Sequence, residues 1–533
     1  MAPLSAITLA YAAFLGATLW QAYADLSGAD ELAYIATAEN LANIDFPRAL
    51  NAFKPMLIAL FTAPFVKVFG ITDLQMVRLP TYAVGLAFLA AIYLYSASLL
   101  RSVPRQLLLT IALVPFVVAS VSTVNSEITG AIFALLLVWV LQAGYFVRST
   151  RTAVTAGLIL GVSLFAKTYL YYVALVLLPL AAAYSLWQTS PGPDRSRILR
   201  NAAIALTVVL AIGAVAGETF AQKYGYFTLG AAGRYNHIFQ NPDWVAAARF
   251  HPQDVTPSLG LIDLPHPRAA SIFEDQTYIT DQMSPALSWS PFDSVRNLRW
   301  LVGSVAWRTY YRLLPQGQEW PLSLAVIIGL FALLFVRQDP LRRRVLATSA
   351  AAFTVAVGAA LSVNYKPAYL TGFYMSALCL VAAFLFEQAD RGTLRRTAAY
   401  VLVFGMAFSF SVLEIKPLLD EVAASSGQGR SRNQIALEEG VAALSPLLSG
   451  KRVASDGQAP YTRFTHLCFL ARCGYLGIPS GRAPWPAQLD ELTAHSVDLF
   501  LAKATAAGCP PDRPGLRRLR DTPVLDHCVY AVL

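Results

Sequence analysis

Apolar segments of nearly membrane-spanning length set the strongest limit on how this chain can fold. A helix that crosses the hydrocarbon core of a bilayer needs roughly 20 predominantly apolar residues. Of the 533 residues, 56% are hydrophobic and only 14% are charged, a charged fraction too low for an ordinary soluble enzyme, in which about 25% of residues are charged. The sequence therefore predicts a polytopic α-helical membrane protein with about eleven transmembrane helices, at residues 4–24, 80–100, 106–123, 128–147, 153–166, 169–187, 202–219, 319–336, 345–362, 371–387 and 398–414.

Arginines concentrate in alternate loops between these segments. The positive-inside rule assigns such loops to the cytoplasm, so the N-terminus is predicted to be cytoplasmic and the C-terminal part, after an odd number of crossings, to lie outside. The first segment has no basic residue before it and is long enough to span, which favours a transmembrane helix over a signal peptide. Much of the net charge of +9 belongs to these loops, so we expect no nucleic-acid binding; the arginines are Arg101, Arg105, Arg148, Arg151, Arg195, Arg197, Arg200, Arg337, Arg342, Arg343, Arg344, Arg391, Arg395 and Arg396.

The polar stretch between the first two segments places charged side chains directly beside apolar sequence. Asp30 and Glu31 open a helix-like segment, Lys54 stands at the head of the apolar residues 55–70, and Arg78 begins the next span. Ionisable groups so close to hydrocarbon cost several kcal/mol unless they are paired or face a wet cavity, so these residues are candidates for function. Residues 55–70 are too few to cross a bilayer and predict an interfacial or re-entrant helix.

The motifs in this stretch resemble those of a known family. In order they are Asp-Glu-x-x-Tyr, Lys-Pro-x-Leu, Phe-Gly and Arg-Leu-Pro, carried by Asp30, Glu31, Tyr34, Lys54, Pro55, Leu57, Phe69, Gly70, Arg78, Leu79 and Pro80. This pattern is similar to the type C glycosyltransferases that include the protein O-mannosyltransferases and the lipid A aminoarabinose transferase. The resemblance implies a type C glycosyltransferase-like membrane fold and a polyprenyl-phosphate sugar as the donor.

A sugar on a polyprenyl phosphate already carries a good leaving group. Such an enzyme must supply a base for the acceptor and positive charge for the departing phosphate. The resemblance implies Asp30 as the catalytic base, with Glu31 in a supporting catalytic role because it lies about 100° round the helix. It also implies contacts to the donor phosphate from Lys54, Arg78, Lys366 and Tyr369.

Each assignment has an alternative in the sequence. Asp30 is a favoured helix N-cap residue, Lys54 is suited to anchoring a helix at the interface, and Lys167 is suited to reaching the interface from a helix end. The apolar run around Lys167 predicts two short helices that meet at an outer turn. Further candidates for substrate contact are Tyr34, Lys167 and Arg234.

No cofactor is predicted. Relatives that bind a metal often carry an acidic residue just before the motif lysine, and Phe53 at this position cannot ligate a metal. Metal dependence is therefore not expected.

The segment with Lys366 and Tyr369 resembles the family's outer Arg-Tyr-x-x-Pro segment, but Gly372 stands near the place of the expected Pro.

Two further regions hold most of the remaining polar sequence. Residues 221–318 are rich in Tyr, Trp and charge, and their later part predicts a helix in the headgroup layer. In residues 416–533, short apolar runs alternate with helix-like pieces, which predicts a small extracytoplasmic α/β domain. The predicted division is a transmembrane domain over 1–415, with outer loops 25–79 and 221–318, followed by a domain over 416–533.

The last of these regions contains four cysteines. An even set in a compartment where disulfides persist predicts two disulfides. Three connectivities are open, and the absence of a Cys-x-x-Cys or His-x-x-x-His spacing argues against zinc. The disulfide candidates are Cys468, Cys473, Cys509 and Cys528.

These features favour inverting transfer of a sugar from a polyprenyl-phosphate donor to a glycan, lipid or protein acceptor at the outer face of the membrane. The chain has no Asp-x-Asp sequence and no P-loop, which argues against a nucleotide-sugar transferase and an ATP-driven pump. A transporter or flippase of a lipid-linked saccharide is the alternative, although ionisable residues would then be expected at midplane in several helices. A sensory or scaffold protein would leave Asp30 and Lys54 without a role.

The outer loops contain no Asn-x-Ser/Thr sequon, which favours a bacterial inner membrane over an endoplasmic reticulum. The sequence does not indicate the sugar, the acceptor or the length of the lipid chain.

Overall fold

The described part of the chain is mainly helical. In this computed structural model the described residues are 2–22, 28–142, 144–238, 241–242, 260–266, 269–270, 272–275, 277–278, 280–281, 288–313, 344–345, 347–349, 351–352, 354–355, 367–424, 432–456, 461–480, 483–506 and 508–533. The predicted span 319–336 lies outside them, and only short pieces of 345–362 lie within them. The number of crossings therefore stays a prediction.

Helices form the membrane part of the molecule, with two 3₁₀ turns at Ile272–Asp275 and Pro367–Leu370. In chain order the helices are α1 (Ala2–Ala17), α2 (Leu19–Ala22), α3 (Ala29–Ala42), α4 (Phe46–Ala49), α5 (Leu57–Phe69), α6 (Leu74–Ala97), α7 (Val103–Ala112), α8 (Val114–Ser120), α9 (Glu127–Gln142), α10 (Tyr145–Arg148), α11 (Thr150–Ala166), α12 (Thr168–Gln188), α13 (Pro193–Tyr224), α14 (Ala232–Ile238), α15 (Val295–Leu313), α16 (Thr371–Asp390) and α17 (Arg396–Ala424).

Five helical stretches among the described residues are long and apolar enough to cross a membrane, namely α6, α7 together with α8, α12, α13 and α16. Helix α13 has 32 residues and so extends about 48 Å, which exceeds the roughly 30 Å hydrocarbon core. At least one end of α13 therefore extends beyond the hydrocarbon core.

Three local predictions can be compared with these helices. The break at Lys167 is confirmed, because α11 ends one residue before Lys167 and α12 begins one residue after it. The short apolar helix predicted over 55–70 is α5, with 13 residues. The first segment differs, since α1 ends at Ala17 and Leu19–Ala22 forms a separate turn.

Two large apolar cores in the described part of the chain hold the helices together, and α9 and α16 contribute to both. The first core joins them to α1, α3, α5, α6, α7, α8 and α17, and the second joins them to α10, α11, α12 and α13. Helices α11 and α13 approach very closely, because a Cβ on Gly157 would lie 2.7 Å from the Ala205 carbonyl oxygen. Such close backbone approach through small residues is typical of packed membrane helices. Helix α9 thus links the α3 side of the bundle to the α11 and α12 side.

A mixed five-stranded sheet follows the membrane part. Its strands have the order β2-β1-β3-β5-β4, with β1 parallel to β2 and β3, and β5 antiparallel to β3 and β4. The elements of this region are α18 (Arg432–Leu448), β1 (Arg452–Ser455), α19 (Tyr461–Ala471), β2 (Gly474–Gly477), α20 (Trp485–Ala494), β3 (Leu499–Lys503), β4 (Leu516–Arg518) and β5 (His527–Val532).

Alternation along the strands gives this sheet two buried faces. Successive strand residues point to opposite sides, so Val453 and Leu499 pack with α18 and α19, while Ala454 and Phe500 pack with α20. The small α/β region predicted near the C-terminus is therefore present. Helix α17 runs without a break through the predicted boundary between 415 and 416, so the domain limits stay a prediction.

The four cysteines of this region form two disulfides. Cys468 is bonded to Cys473, and Cys509 is bonded to Cys528. This connectivity selects one of the three that the sequence left open. Cys379 is free and buried in α16.

The predicted orientation can be tested with fusion reporters. Alkaline phosphatase fused after Leu533 should be active, because a disulfide-bonded region requires an oxidising compartment. A reporter that works only in the cytoplasm should be inactive at that position, and both reporters should give the reverse result when inserted at Ser190. A cytoplasmic reporter that works after Leu533 would contradict the orientation.

Candidate active site

Helix α3 carries the acidic pair that the sequence singles out. The helix begins at Ala29 with Gly28 as its N-cap residue, and Asp30 is the second helical residue. The alternative assignment of Asp30 as the N-cap is therefore wrong. Because successive helical residues are rotated by about 100°, Asp30 and Tyr34 lie on one face of α3, and Glu31 points to another.

Asp30 forms an ion pair with Lys54, the lysine of the Lys-Pro-x-Leu motif. The Lys54 side chain is only 6% exposed, whereas that of Asp30 is 57% exposed. The ammonium also lies 5.6 Å from the centre of the Tyr34 ring and 5.0 Å from that of Phe53, distances at which a cation is attracted to a ring face. A buried cation is thus presented to an accessible carboxylate.

The backbone that carries Lys54 is fixed from behind. The Asn51 side-chain oxygen accepts hydrogen bonds from the Phe53 and Lys54 amides, both at 2.9 Å, and its amide group donates to the Glu274 carbonyl at 2.7 Å. Lys223 at the end of α13 donates to the Leu50 carbonyl. These contacts therefore fix the backbone from which the Lys54 side chain extends.

Glu31 and Arg78 form a second, fully buried ion pair. Arg78 of α6 donates from Nε to Glu31 Oε1 and from Nη2 to Glu31 Oε2, each at 2.8 Å. The Val124 amide donates to the same Oε1 at 2.8 Å. Arg78 is 0% exposed and Glu31 2% exposed, so these two groups meet each other in the interior. Neither presents its charged atoms on the surface where Asp30 lies.

A further lysine and carboxylate pair lies nearby, and the sequence reasoning missed its acidic member. Lys167, between α11 and α12, donates to Oε1 of Glu127 at 2.9 Å. The other oxygen, Oε2, is buried and has no hydrogen-bond partner within the described part of the chain. Glu127 is the first residue of α9, and an acidic residue at the end of a span is the signal that could have identified it.

Tyrosines connect the two lysine and carboxylate pairs. The Tyr34 hydroxyl lies 2.6 Å from the Ser126 hydroxyl, next to Glu127. Lys167 Nζ lies 5.5 Å from the centre of the Tyr369 ring, and the Tyr369 carbonyl accepts a hydrogen bond from Tyr169 at 2.9 Å. The first loop, the start of α9 and the turn before α16 therefore meet at one place.

The phenols of Tyr34 and Tyr369 stay protonated. Burial raises the pKa of Tyr34 well above its usual value; the hydrogen bond with Ser126 lowers it, and the charges of Glu127 and Asp30 raise it. Burial likewise raises the pKa of Tyr369, with Glu127 and Asp30 acting in the same direction. Both phenols are therefore neutral, and their hydroxyl groups can donate hydrogen bonds.

The remaining predicted residues are Arg234, which has its own partners, and Lys366. Arg234 of α14 pairs with Asp281 at 2.9 Å, and its guanidinium lies 5.7 Å from the centre of the Tyr226 ring. Lys366 lies outside the described residues. Its predicted contact with the donor phosphate therefore stays a prediction.

A cavity of about 270 Å³ lies along α3. Its lining includes Thr37 and Asn40 of α3, together with Tyr224 and Asp275. Thr37 is seven residues after Asp30, which is about 20° from a whole number of turns, so this lining residue lies on the same face of the helix as Asp30, whereas Asn40 lies about 80° round the helix from it. It begins roughly 10 Å from Asp30 along the helix axis.

The site contains two carboxylates, two lysines and two neutral phenols. Such a set can accept a proton from a hydroxyl group and hold an anion. Among the described residues, no group of three or more His, Cys, Asp or Glu side chains is placed to hold a metal ion. Phe53, at the position where metal-binding relatives often carry an acidic residue, packs edge-on against Tyr235, with ring centres 4.9 Å apart.

No protein-family model matches the chain, and no curated protein matches it. Among solved structures, ArnT from Cupriavidus metallidurans bound to undecaprenyl phosphate is 13% identical, with a TM-score of 0.55 over 99% of this chain and 97% of that chain. The archaeal oligosaccharyltransferase AglB from Archaeoglobus fulgidus, in complex with an inhibitory peptide and a dolichol-phosphate, is 12% identical, with a TM-score of 0.53 over 94% of this chain and 69% of that chain. The chain therefore has the type C glycosyltransferase fold, as its motifs predict.

The buried pair predicts a large loss of stability when one partner is removed. Arg78→Ala should lower the free energy of unfolding by about 3–5 kcal/mol, because it leaves the Glu31 charge buried without its partner. Arg391→Ala is the control, since it removes an exposed pair with Glu387 and should cost less than about 1 kcal/mol. Thermal unfolding of both variants in one detergent compares them. Equal losses would contradict the role of the buried pair.

Proposed function

We propose that this protein transfers a sugar from a polyprenyl-phosphate donor to an acceptor, with inversion at the anomeric carbon. The observation that carries the proposal is the ion pair of accessible Asp30 with buried Lys54. The type C glycosyltransferase fold supports it, and so do the lipid phosphates bound to the two solved structures with this fold. A carboxylate and a cation side by side suit a reaction in which a hydroxyl loses a proton while a phosphate gains negative charge.

The proposed reaction needs no reactant other than the donor and the acceptor. The acceptor oxygen attacks the anomeric carbon of the donor and gives its proton to the Asp30 carboxylate. The bond between that carbon and the phosphate oxygen breaks, and its electron pair stays on the phosphate oxygen. The products are the glycosylated acceptor and polyprenyl phosphate. Attack from the side opposite the phosphate inverts the configuration of the sugar.

In this proposal Lys54 binds the donor phosphate. Its side chain is almost fully buried, and a charge-assisted contact made away from water is stronger than the same contact in water. A phosphate that arrives at Lys54 also competes with Asp30 for the ammonium. Donor binding thereby frees the Asp30 carboxylate to act as a base. Lys167 and the phenol of Tyr369 are proposed as further contacts to donor oxygens.

Glu31 and Arg78 receive a different role from the one expected from the motifs. Their charged atoms are bound to each other in the interior, so we propose that they fix the rotation of α3 and do not contact the donor. Asp30 then depends on them for its direction. This role agrees with the position of Glu31 on a different face of α3 from Asp30.

The acceptor is proposed to approach along the Asp30 face of α3. The cavity beside Thr37 and Asn40 lies along α3 about two turns beyond Asp30 and is large enough for a group the size of a sugar ring. It would hold the part of a glycan, lipid or protein acceptor that lies beyond the reacting hydroxyl.

The positions of the charged pairs favour transfer over transport. Asp30 is in the first turn of α3, Glu127 is the first residue of α9, and Lys167 separates two helices. A path for a saccharide through the bilayer would place such groups at midplane within spans. In the described spans these pairs lie at helix ends, which suits a reaction at the membrane surface.

The proposed base predicts the effect of one substitution. Asp30→Asn keeps the shape of the side chain but removes its basicity, so turnover should fall about 100-fold or more with folding unchanged. The measurement is release of undecaprenyl phosphate from a panel of undecaprenyl-phosphate sugars by the purified protein. Asp194→Asn is the control, because Asp194 forms an exposed pair with Arg197 at the start of α13 and has no part in the proposal.

The same assay separates the two carboxylates of the site. Glu127→Gln should lower turnover less than Asp30→Asn, because Glu127 is proposed only to orient Lys167. If Asp30→Asn retains the wild-type rate and Glu127→Gln abolishes it, Glu127 is the base and the assignment of Asp30 is wrong.

A further inference from the structure

The C-terminal region contacts the helix that carries Asp30. Arg472, which follows α19, donates from Nη1 and Nη2 to the two carboxylate oxygens of Glu39 on α3, at 2.9 and 2.7 Å. This two-bond geometry defines the relative position of both groups, unlike contact between single charges. Phe469 of α19 is buried in the apolar core to which Ile35 and Ala38 of α3 belong. The salt bridge of Arg472 with Glu39 and the apolar packing of Phe469 therefore join α19 and the turn after it to α3.

Helix α19 also lies close to the N-terminal end of α3. Burial lowers the pKa of His466 on α19, while its proximity to the Gly28 backbone and to the charge of Glu31 acts to raise it. Gly28 is the N-cap residue of α3. Helix α19 thus lies beside α3, and Arg472 contacts α3 near its end.

A disulfide shapes the turn that carries Arg472. Cys468 and Cys473 close the turn, and the Cys473 amide donates to the Cys468 carbonyl at 2.9 Å. Arg472 itself has a φ of 59°, a left-handed conformation that a non-glycine residue rarely adopts without support. The disulfide holds the flanking residues while the arginine takes this conformation. Both sulfur atoms belong to buried side chains.

Arg472 lies behind the helix, away from the reacting atoms. Glu39 is nine residues after Asp30, a rotation of about 180°, so the two carboxylates lie on opposite faces of α3. Arg472 therefore cannot touch a group bound at Asp30. It acts on the site through the position of α3 alone.

We propose that Arg472 and the Cys468–Cys473 disulfide are positioning elements that hold α3 against the membrane part, so that Asp30 stays in place for catalysis. The inference rests on the proposed function for its effect on turnover. Small displacements of a reacting group are costly, since a shift of about 1 Å can lower a rate 100-fold. The disulfide then makes the activity depend on the oxidation state of the C-terminal region.

The test uses the full-length protein and two pairs of variants. Arg472→Ala should lower kcat about tenfold with little change in the KM for donor, and the charge exchange Glu39→Arg with Arg472→Glu should restore most of the loss. Cys468→Ser with Cys473→Ser should lower kcat similarly. The matched control is Cys509→Ser with Cys528→Ser, which removes the other disulfide, between β5 and a loop of the sheet, and should change kcat less than about twofold.

A second measurement does not depend on catalysis. Hydrogen exchange measured by mass spectrometry should be faster in peptides covering α3 for Arg472→Ala and for the Cys468 and Cys473 double variant, and unchanged in peptides covering α12. Faster exchange in α3 of the variants, together with no sugar transfer by the wild-type protein, would support the positioning role of Arg472 and the disulfide and reject the proposed function. Unchanged exchange in α3, or an equal loss of kcat in both disulfide variants, would overturn the positioning role.

Discussion

The buried ion pair between Glu31 and Arg78 is the interaction on which the arrangement of the site depends. It joins α3 to α6, and through the Val124 amide it also joins α3 to the loop before α9. Two parallel hydrogen bonds between planar groups allow very little rotation, so they set which face of α3 is turned toward Lys54. Burying two charges is costly. In the proposed function this pair directs Asp30 by fixing the rotation of α3.

Charge placement explains how the site tolerates its own lysines. Lys54 and Lys167 each have a carboxylate partner and lie near an aromatic ring, which offsets part of the loss of hydration at the membrane surface. In the proposed function an arriving phosphate replaces the carboxylate at Lys54, so that the buried ammonium keeps an anionic partner while the exposed Asp30 carboxylate is released. The phenols of Tyr34 and Tyr369 remain neutral beside both pairs, so they add hydrogen-bond donors without adding charge.

The sequence predicted the features that depend on local pattern. Membrane-length apolar runs, the break at Lys167 and the alternating strands near the C-terminus are properties of neighbouring residues, and the structure contains them. Partners distant in sequence could not be read in this way. Glu31 meets Arg78 across 47 residues, Lys167 meets Glu127 across 40, and Glu39 meets Arg472 across 433. The N-cap alternative for Asp30 failed because the N-cap residue is Gly28, two residues earlier.

Native mass spectrometry of the full-length protein with undecaprenyl phosphate tests the central claim most directly. The wild-type protein is predicted to bind the lipid, and Lys54→Ala to bind it at least about tenfold more weakly, since a hydrogen bond to a charged group contributes roughly 1.5–3 kcal/mol. Lys67→Ala is the control, because Lys67 is an exposed lysine at the other end of α5, and its binding should match the wild type. Equal binding by the wild type and Lys54→Ala would contradict the account.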